Sequence, residues 1–502
     1  MRKAYMLPDI DRLGPELALM AAGGLIILLD LALREDMPVQ RRGLILAGGS
    51  LAGIVGAIVW AVSLILRGRE GTAFDGSLVV DNFSFFFQFL FLGVAILVIL
   101  ASIDYAQRLG RYQGEYYALI LLATGGMMLL AGGRDLIAIF VALELTSISQ
   151  YVMAALLKDT RSSEAGLKYL LLGAVSTAVL LYGMAFLFGL SGTTKLIAPP
   201  GEPSIAATVA AGDASLRGAL VLAIVFVASG LAFKTAVVPF QMWVPDVYEG
   251  SPTPVAAFLS VASKAAGFAV LLRIFYDGLS GSFISSDWSN LFAAVAAISM
   301  TVGNVIALVQ TNIKRLLGYS SIAQAGNIMV GIAAISAASG NFALGAGGVV
   351  FFLGTYAFTN LGAFIAVIAI SNKLGSDAIA DYAGMARRSP LLALALAFCL
   401  ISLTGLPPTA GFVAKLYIFN TAVQSDLVWL VIVAVLNSVL AAYYYLRIVG
   451  QMYLAPPVQE ERVPLSWSLG ASLGAAALGV LVIGIVPTPL ISAAERAVSV
   501  FA

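Results

Sequence analysis

Histidine is absent from this chain of 502 residues, and cysteine occurs once, as Cys399 inside an apolar run. Those absences remove the usual ligands of haem, copper and zinc. They also exclude an intrachain disulfide, an iron–sulfur cluster and a cysteine zinc site. Charge is scarce as well: 11% of the residues are charged, and the net charge is +1. That balance gives no argument for nucleic acid or another acidic partner. No dinucleotide fingerprint follows a strand, no phosphate-binding loop occurs, and no polar segment could fold as a domain around either. No cofactor and no metal are therefore expected in this chain, and any driving reaction would lie in a partner.

What the chain has instead is apolar surface. Sixty per cent of its residues are hydrophobic and its mean hydropathy is +0.96. Apolar runs recur from end to end, each long enough to cross a hydrocarbon core of ~30 Å as a helix. Helices satisfy their own backbone groups in lipid, whereas barrel strands would read as short alternating segments, which are not found. The reading is an all-α polytopic membrane protein of about fourteen spans. The opening "MRKAYMLPDIDRLGPE" leads into an apolar run without a cleavage-like site, so it reads as the first span and not as a removed signal. Loop Lys and Arg number roughly nine on the side of the termini and roughly thirteen on the other, which favours termini outside, in the periplasm of a bacterium.

Two spans look broken. In 219–246 the interruption is at Pro239 and Pro245; in 390–421 it is at Gly405, Pro407, Pro408 and Gly411. Each carries one lysine beside its break, Lys234 before the proline and Lys415 after it. That mirror order suits an inverted repeat, and broken helices at matching places point to a transport site. The expected division is 1–114 for the first three spans, 115–276 and 290–454 for two inverted five-helix units, and 455–502 for the last span.

Inside the spans a short set of ions remains: Glu144, Lys168, Lys234, Lys264, Arg273, Lys415 and Arg447. A charge at the centre of a span costs about 2.5–3.5 kcal/mol on insertion scales, so each needs a reason. For Glu144 the plain reason is a structural pair; the sharper one is proton exchange, switched by bringing an amine close or moving it away. Lys234 could merely satisfy carbonyls freed by the break, or could use the water that a break admits. Lys264 lies among small residues that leave room for close packing or water. Buried lysines give up a proton readily and arginines do not, so mid-span lysines suit proton handling. Lys168 follows Glu164 at helical spacing and reads equally as an ordinary i,i+4 pair. Arg273 and Arg447 lie near span ends and are expected to snorkel. Asp246 and Glu249 are expected as a solvated cap, and Trp60, Trp243, Trp288, Trp429 and Trp467 as interfacial anchors.

The segments "FKTAVVPFQMWVPDVYEGSPTPVAAFLSVASKAAG", "LKYLLLGAVSTAVLLYG", "NIKRLLGYSSIAQAG" and "LTGLPPTAGFVAK" resemble the antiporter-like membrane subunits of respiratory complex I, the proton-pumping NADH:quinone oxidoreductase. The resemblance runs from about residue 115 to 455 and is strongest to subunit N, called subunit 2 in mitochondria. It implies fourteen helices, two inverted five-helix repeats, and breaks in helices seven and twelve. It also implies that Glu144 pairs with Lys234, that Lys264 connects, that Lys415 leads to the exit side, and that Lys168 is a further lysine of the path. NADH, quinone, FMN and iron–sulfur clusters would belong to partner subunits, among them other antiporter-like subunits. The chain departs from many relatives at Gln241, where histidine is common. The expected function is proton translocation coupled to quinone reduction, in a bacterial inner membrane. A subunit of a multi-subunit sodium/proton antiporter is the main rival, and a purely structural bundle the third reading.

Overall fold

In lipid every backbone N–H and C=O must pair within the chain, and a helix achieves this span by span. The computed structural model describes residues 9–34, 36–334, 342–457 and 461–501, and these are helical almost throughout. In order, the helices are α1 (Gly14–Ala32), α2 (Val39–Leu66), α3 (Asn82–Ser102), α4 (Gln113–Ala131), α5 (Leu136–Ala154) and α6 (Thr160–Ser191). Next comes α7, in two halves, α7a (Arg217–Thr235) and α7b (Trp243–Gly250), followed by α8 (Thr253–Gly278), α9 (Ser282–Ala307) and α10 (Ile313–Ala333). Then follow α11 (Phe342–Leu374), the halves α12a (Pro390–Thr404) and α12b (Ala410–Gln424), α13 (Val428–Tyr453), α14 (Trp467–Ile485) and α15 (Thr488–Val498).

Among the described residues, 12 helices are long and apolar enough to cross a membrane. Of the expected spans, α10 and α12 fall outside that set. The first carries "IKRLLGYSSIAQAGN" along its length, and the second is two halves of 15 residues each. Polar N-caps stop several helices cleanly. Asp81 accepts from the Ser84 amide at 2.9 Å, Asp135 from Ile137 at 2.8 Å, Asp159 from Ser162 at 2.7 Å and Asn312 from Lys314 at 2.9 Å. One small hairpin interrupts the helices, β1 (Gly71–Ala73) against antiparallel β2 (Leu78–Val80). Its turn takes Phe74, Asp75 and Gly76 through positive φ.

The axis of the molecule is α8. Every residue from 251 to 279 is buried. Outward faces of α5, α6 and α13 present Val141, Leu171, Val175, Val435 and Val439, as lipid- or partner-facing surfaces do.

Three expectations need correction. Arg273 does not snorkel: it is fully buried, bonded to Asp81 at 2.7 Å and to the Ala131 carbonyl at 2.9 Å, with Asp277 at 3.5 Å and the Phe83 ring beneath it. Arg134 joins the same cluster through Asp277 at 3.1 Å. A buried cation persists where carboxylates and carbonyls occupy its donors in this way. Trp243 and Trp288 are not interfacial anchors either. Both are buried, and their indole N–H groups donate to the Phe233 and Leu279 carbonyls at 3.0 and 2.9 Å. Arg447 is spent on the end of α9, donating to the Leu308 and Gln310 carbonyls at 3.0 and 2.7 Å. The long loop 191–218 also holds a short helix, Ile205–Ala210, capped by Ser204.

Candidate functional site

The break in α7 comes at Ala236, whose φ of 60° is left-handed. Two of the carbonyls it frees are taken locally. Val237 N–H donates to Ala232 O at 3.0 Å, and Trp243 Nε1 to Phe233 O at 3.0 Å. Trp243 is held there by stacking on Tyr169, with centroids 4.4 Å apart. Lys234 is thus free of the task of mending its own helix. Its Nζ donates instead to Gln150 Oε1 on α5, at 3.1 Å.

Gln150 is the residue that sequence reasoning missed. It is fully buried, and Tyr169 Oη and Ser263 Oγ donate to the same Oε1 at 3.0 and 2.9 Å. Its Nε2 has no partner among the described residues. A carbonyl oxygen has two lone pairs, so three donors on one atom is a crowded arrangement. The unused amide N–H supplies what a neutral amine would need, a donor for its lone pair. One signal was available: Gln150 is six residues after Glu144 in "ELTSISQ", among the few polar residues of an otherwise apolar span.

Lys264 follows Ser263 directly, and the two face different helices. Lys264 Nζ donates to Ser321 of α10, to its carbonyl at 2.5 Å and its hydroxyl at 2.6 Å. α8 is π-helical over Leu259–Ser263, just before the lysine, and again over Arg273–Gly278. Such wide turns inside an α-helix recur at functional sites. Asn360 of α11 donates to Ser260 within the first of them, at 2.7 Å.

At the second break the arrangement is different. α12a ends at Gly405, whose φ is 88°. Lys415 reaches back from α12b and donates to the freed Thr404 carbonyl at 2.8 Å and to Ser438 Oγ of α13 at 3.2 Å. A Cβ at Gly405 would meet Lys415 Cδ at 2.8 Å, so glycine is required both for the turn and for the lysine's passage. Between α10, α11 and α12 lies a void of ≈ 10 Å³ lined by Gln324, Tyr356 and Lys415. That is about the space of one water. Tyr356 Oη is buried there without a hydrogen-bond partner among the described residues. Gln324 lies one turn along α10 from Ser321 and donates to Leu403 O at 2.9 Å.

Lys234, Lys264 and Lys415 are only 4, 1 and 6% exposed. Among the described residues none of the three has a carboxylate in ion-pair contact. Glu144 is half-buried on α5 and accepts from Thr177 Oγ1 of α6 at 2.9 Å. The structure therefore places Glu144 near this chain of groups but not against Lys234. Lys168 stands apart from them. Its side chain is 42% exposed and its Nζ bridges Glu164 at 2.8 Å and Asp246 at 2.7 Å, and Arg315 ties Asp246 to Glu249 at 2.7 and 2.8 Å. These ions line an open cavity of ≈ 200 Å³. Asp246 and Glu249, expected as a solvated cap, are cross-helix ion-pair partners.

Residues 133–441 match the family model described as NADH:quinone oxidoreductase/Mrp antiporter, transmembrane. A curated relative from Dehalococcoides mccartyi, named NADH-quinone oxidoreductase subunit N, is 44% identical over 490 residues, 97% of this chain and 99% of its own length. The chain belongs to the subunit N family. The match extends to structure. A chain of respiratory complex I from Thermus thermophilus, solved with bound aureothin, is 32% identical, covers 94% of this chain and 98% of its own, and superposes with a TM-score of 0.74. A chain of the Mrp complex from Dietzia sp. shares the fold, with a TM-score of 0.79 over 98% of this chain and 97% of its own at 21% identity.

Proposed function

We propose that this chain is a proton-translocating membrane subunit of NADH:quinone oxidoreductase, with Lys234, Lys264 and Lys415 as its proton-carrying groups. The observation that carries the reading is the run of buried amines, each bonded to neutral acceptors and joined by hydroxyls and amides. Residues 115–276 and 290–454 act as paired inverted units, and Ser263–Lys264 is the seam between them. Ser263 shares its acceptor with Lys234, and Lys264 bonds to Ser321 in the second unit.

A proton enters from the ion-lined cavity at Lys168 and passes Tyr169 to the Gln150 cluster. There Lys234 gives it up while Gln150 turns from acceptor to donor toward the neutral amine. Lys264 and Ser321 take it onward, and one water in the void at Gln324 and Tyr356 completes the step to Lys415. Lys415 releases it on the far side. Glu144, held off by Thr177 in this conformation, favours the ammonium of Lys234 when it approaches. Electron transfer and its cofactors reside in partner subunits, which supply the energy as movement of the helices around Glu144 and the breaks. The protein sits in the bacterial inner membrane with both termini on the periplasmic side.

The test is the assembled complex in inverted membrane vesicles. Lys234→Met and Glu144→Ala are expected to depress proton pumping and coupled quinone reduction together. A normal proton yield in assembled variants would sink the assignment. Association with small membrane subunits alone, and sodium extrusion without NADH oxidation, would favour a cation/proton antiporter instead.

A further inference from the structure

Away from the lysines, α2, α3, α11 and α15 enclose a groove of ≈ 690 Å³ that the proton path does not use. Its lining runs along α3 from Asn82 through Phe85, Phe89 and Gly93 to Leu97, a length of ~22 Å at the helical rise. Its walls are apolar, from Phe85, Phe89 and Leu97 of α3 to Phe358 and Leu361 of α11, and its length suits an extended hydrocarbon chain.

Its lining is apolar except for Asn82, the first residue of α3, and Arg496 of α15. Arg496 is exposed, and its one hydrogen bond is to the Ser492 carbonyl of its own helix, at 3.2 Å. Among the described residues it has no carboxylate partner. α15 lies across the groove, with Leu490 pressed over Gly354 of α11. A spare guanidinium at the rim of an apolar slot is complementary to an anionic headgroup, which it can grip in a bidentate way.

We propose that this groove holds an acyl chain of an anionic phospholipid from the surrounding bilayer, its phosphate held by Arg496. The lipid would wedge α15 against α3 and α11. Gly93 allows a direct test, because a Cβ there meets nothing within 4 Å and a larger side chain would grow into the slot.

The assembled complex is reconstituted in nanodiscs of phosphatidylglycerol and phosphatidylcholine. Its retained lipid is counted by native mass spectrometry, and the groove is imaged by electron cryomicroscopy. Chain density leading to Arg496 is expected, with one retained phospholipid fewer per complex in Gly93→Leu. Arg496→Gln is expected to keep the chain but lose the preference for phosphatidylglycerol severalfold. An empty groove, a quinone tail, a segment of a neighbouring subunit, or an unchanged count in Gly93→Leu overturns the proposal. Should Gly93→Leu fail to assemble, the wild-type image and the Arg496→Gln preference decide it alone.

Discussion

Lys234 Nζ and Ser263 Oγ donate to one and the same atom, Gln150 Oε1, at 3.1 and 2.9 Å. A change of protonation on the amine is thus felt at once by a hydroxyl on α8, whose next residue is Lys264. Gln150 is the hub of that arrangement.

Replacing Gln150 with leucine leaves Lys234, Tyr169 and Ser263 short of an acceptor. An unsatisfied buried polar group costs about 1–3 kcal/mol, so Gln150→Leu should lower the thermal midpoint of the complex and cut proton yield per NADH. Gln150→Glu keeps an acceptor and should assemble, but it adds a fixed carboxylate beside Lys234 and should still slow pumping. Yield measured in vesicles against assembled protein checks both, and unchanged pumping in Gln150→Leu would remove the residue from the path.

Lys415 has two duties, as an amine and as a cap on Thr404. Arginine can keep the cap, yet it does not release a proton at accessible pH. Lys415→Arg should therefore assemble near normally while losing most proton yield. Lys415→Met should lose yield and also destabilise by about 1–3 kcal/mol, through the uncapped carbonyl. Equal stability of the two variants would show that the contact at 2.8 Å does not hold the break together.

Trp243→Phe retains an aromatic face for Tyr169 but removes the N–H that takes the Phe233 carbonyl. The expected loss is about 1 kcal/mol in stability, with the break in α7 loosened. Hydrogen exchange across residues 232–240 should rise, and unchanged exchange would contradict the role given to the indole.

Lys168 sits in an exposed network where single ion pairs contribute about 0–1 kcal/mol. Lys168→Gln should leave assembly intact, because Arg315 still holds Asp246 and Glu249. As an entry residue it should slow coupled turnover a few-fold without abolishing it. Complete loss of pumping would make Lys168 an obligatory carrier on a par with Lys234.

Much of this was legible before any coordinates. Hydropathy located the spans, since each must bury its own backbone. Prolines and glycines marked both breaks, and the rarity of intramembrane ions singled out Lys234, Lys264 and Lys415. What stayed hidden depended on which way a side chain turns. Arg273 and Arg447 look like snorkelling residues by position, but cluster partners from distant loops and the end of α9 claim them. Trp243 lies near a span end in sequence, although the break folds that end inward. Gln150 is neutral, so no cost argument pointed to it. The separation of Glu144 from Lys234 depends on how their helices pack, which no pattern of residue types records.

The two broken helices have one more thing in common. Lys234 stands in the last turn of α7a, and Lys415 reaches back to the last carbonyl of α12a. Both residues thus stand at the C-terminal end of a half-helix, where the backbone dipoles leave about half a negative charge. The order of lysine and proline is reversed between the halves, yet the local field is the same. That field is carried by a rigid rod that ends inside the protein. Displacing either rod along its axis changes the potential at an amine without moving a single ionised side chain. On the proposed mechanism, each break would then be a transducer, converting the push of a neighbouring subunit into electrical work on one proton.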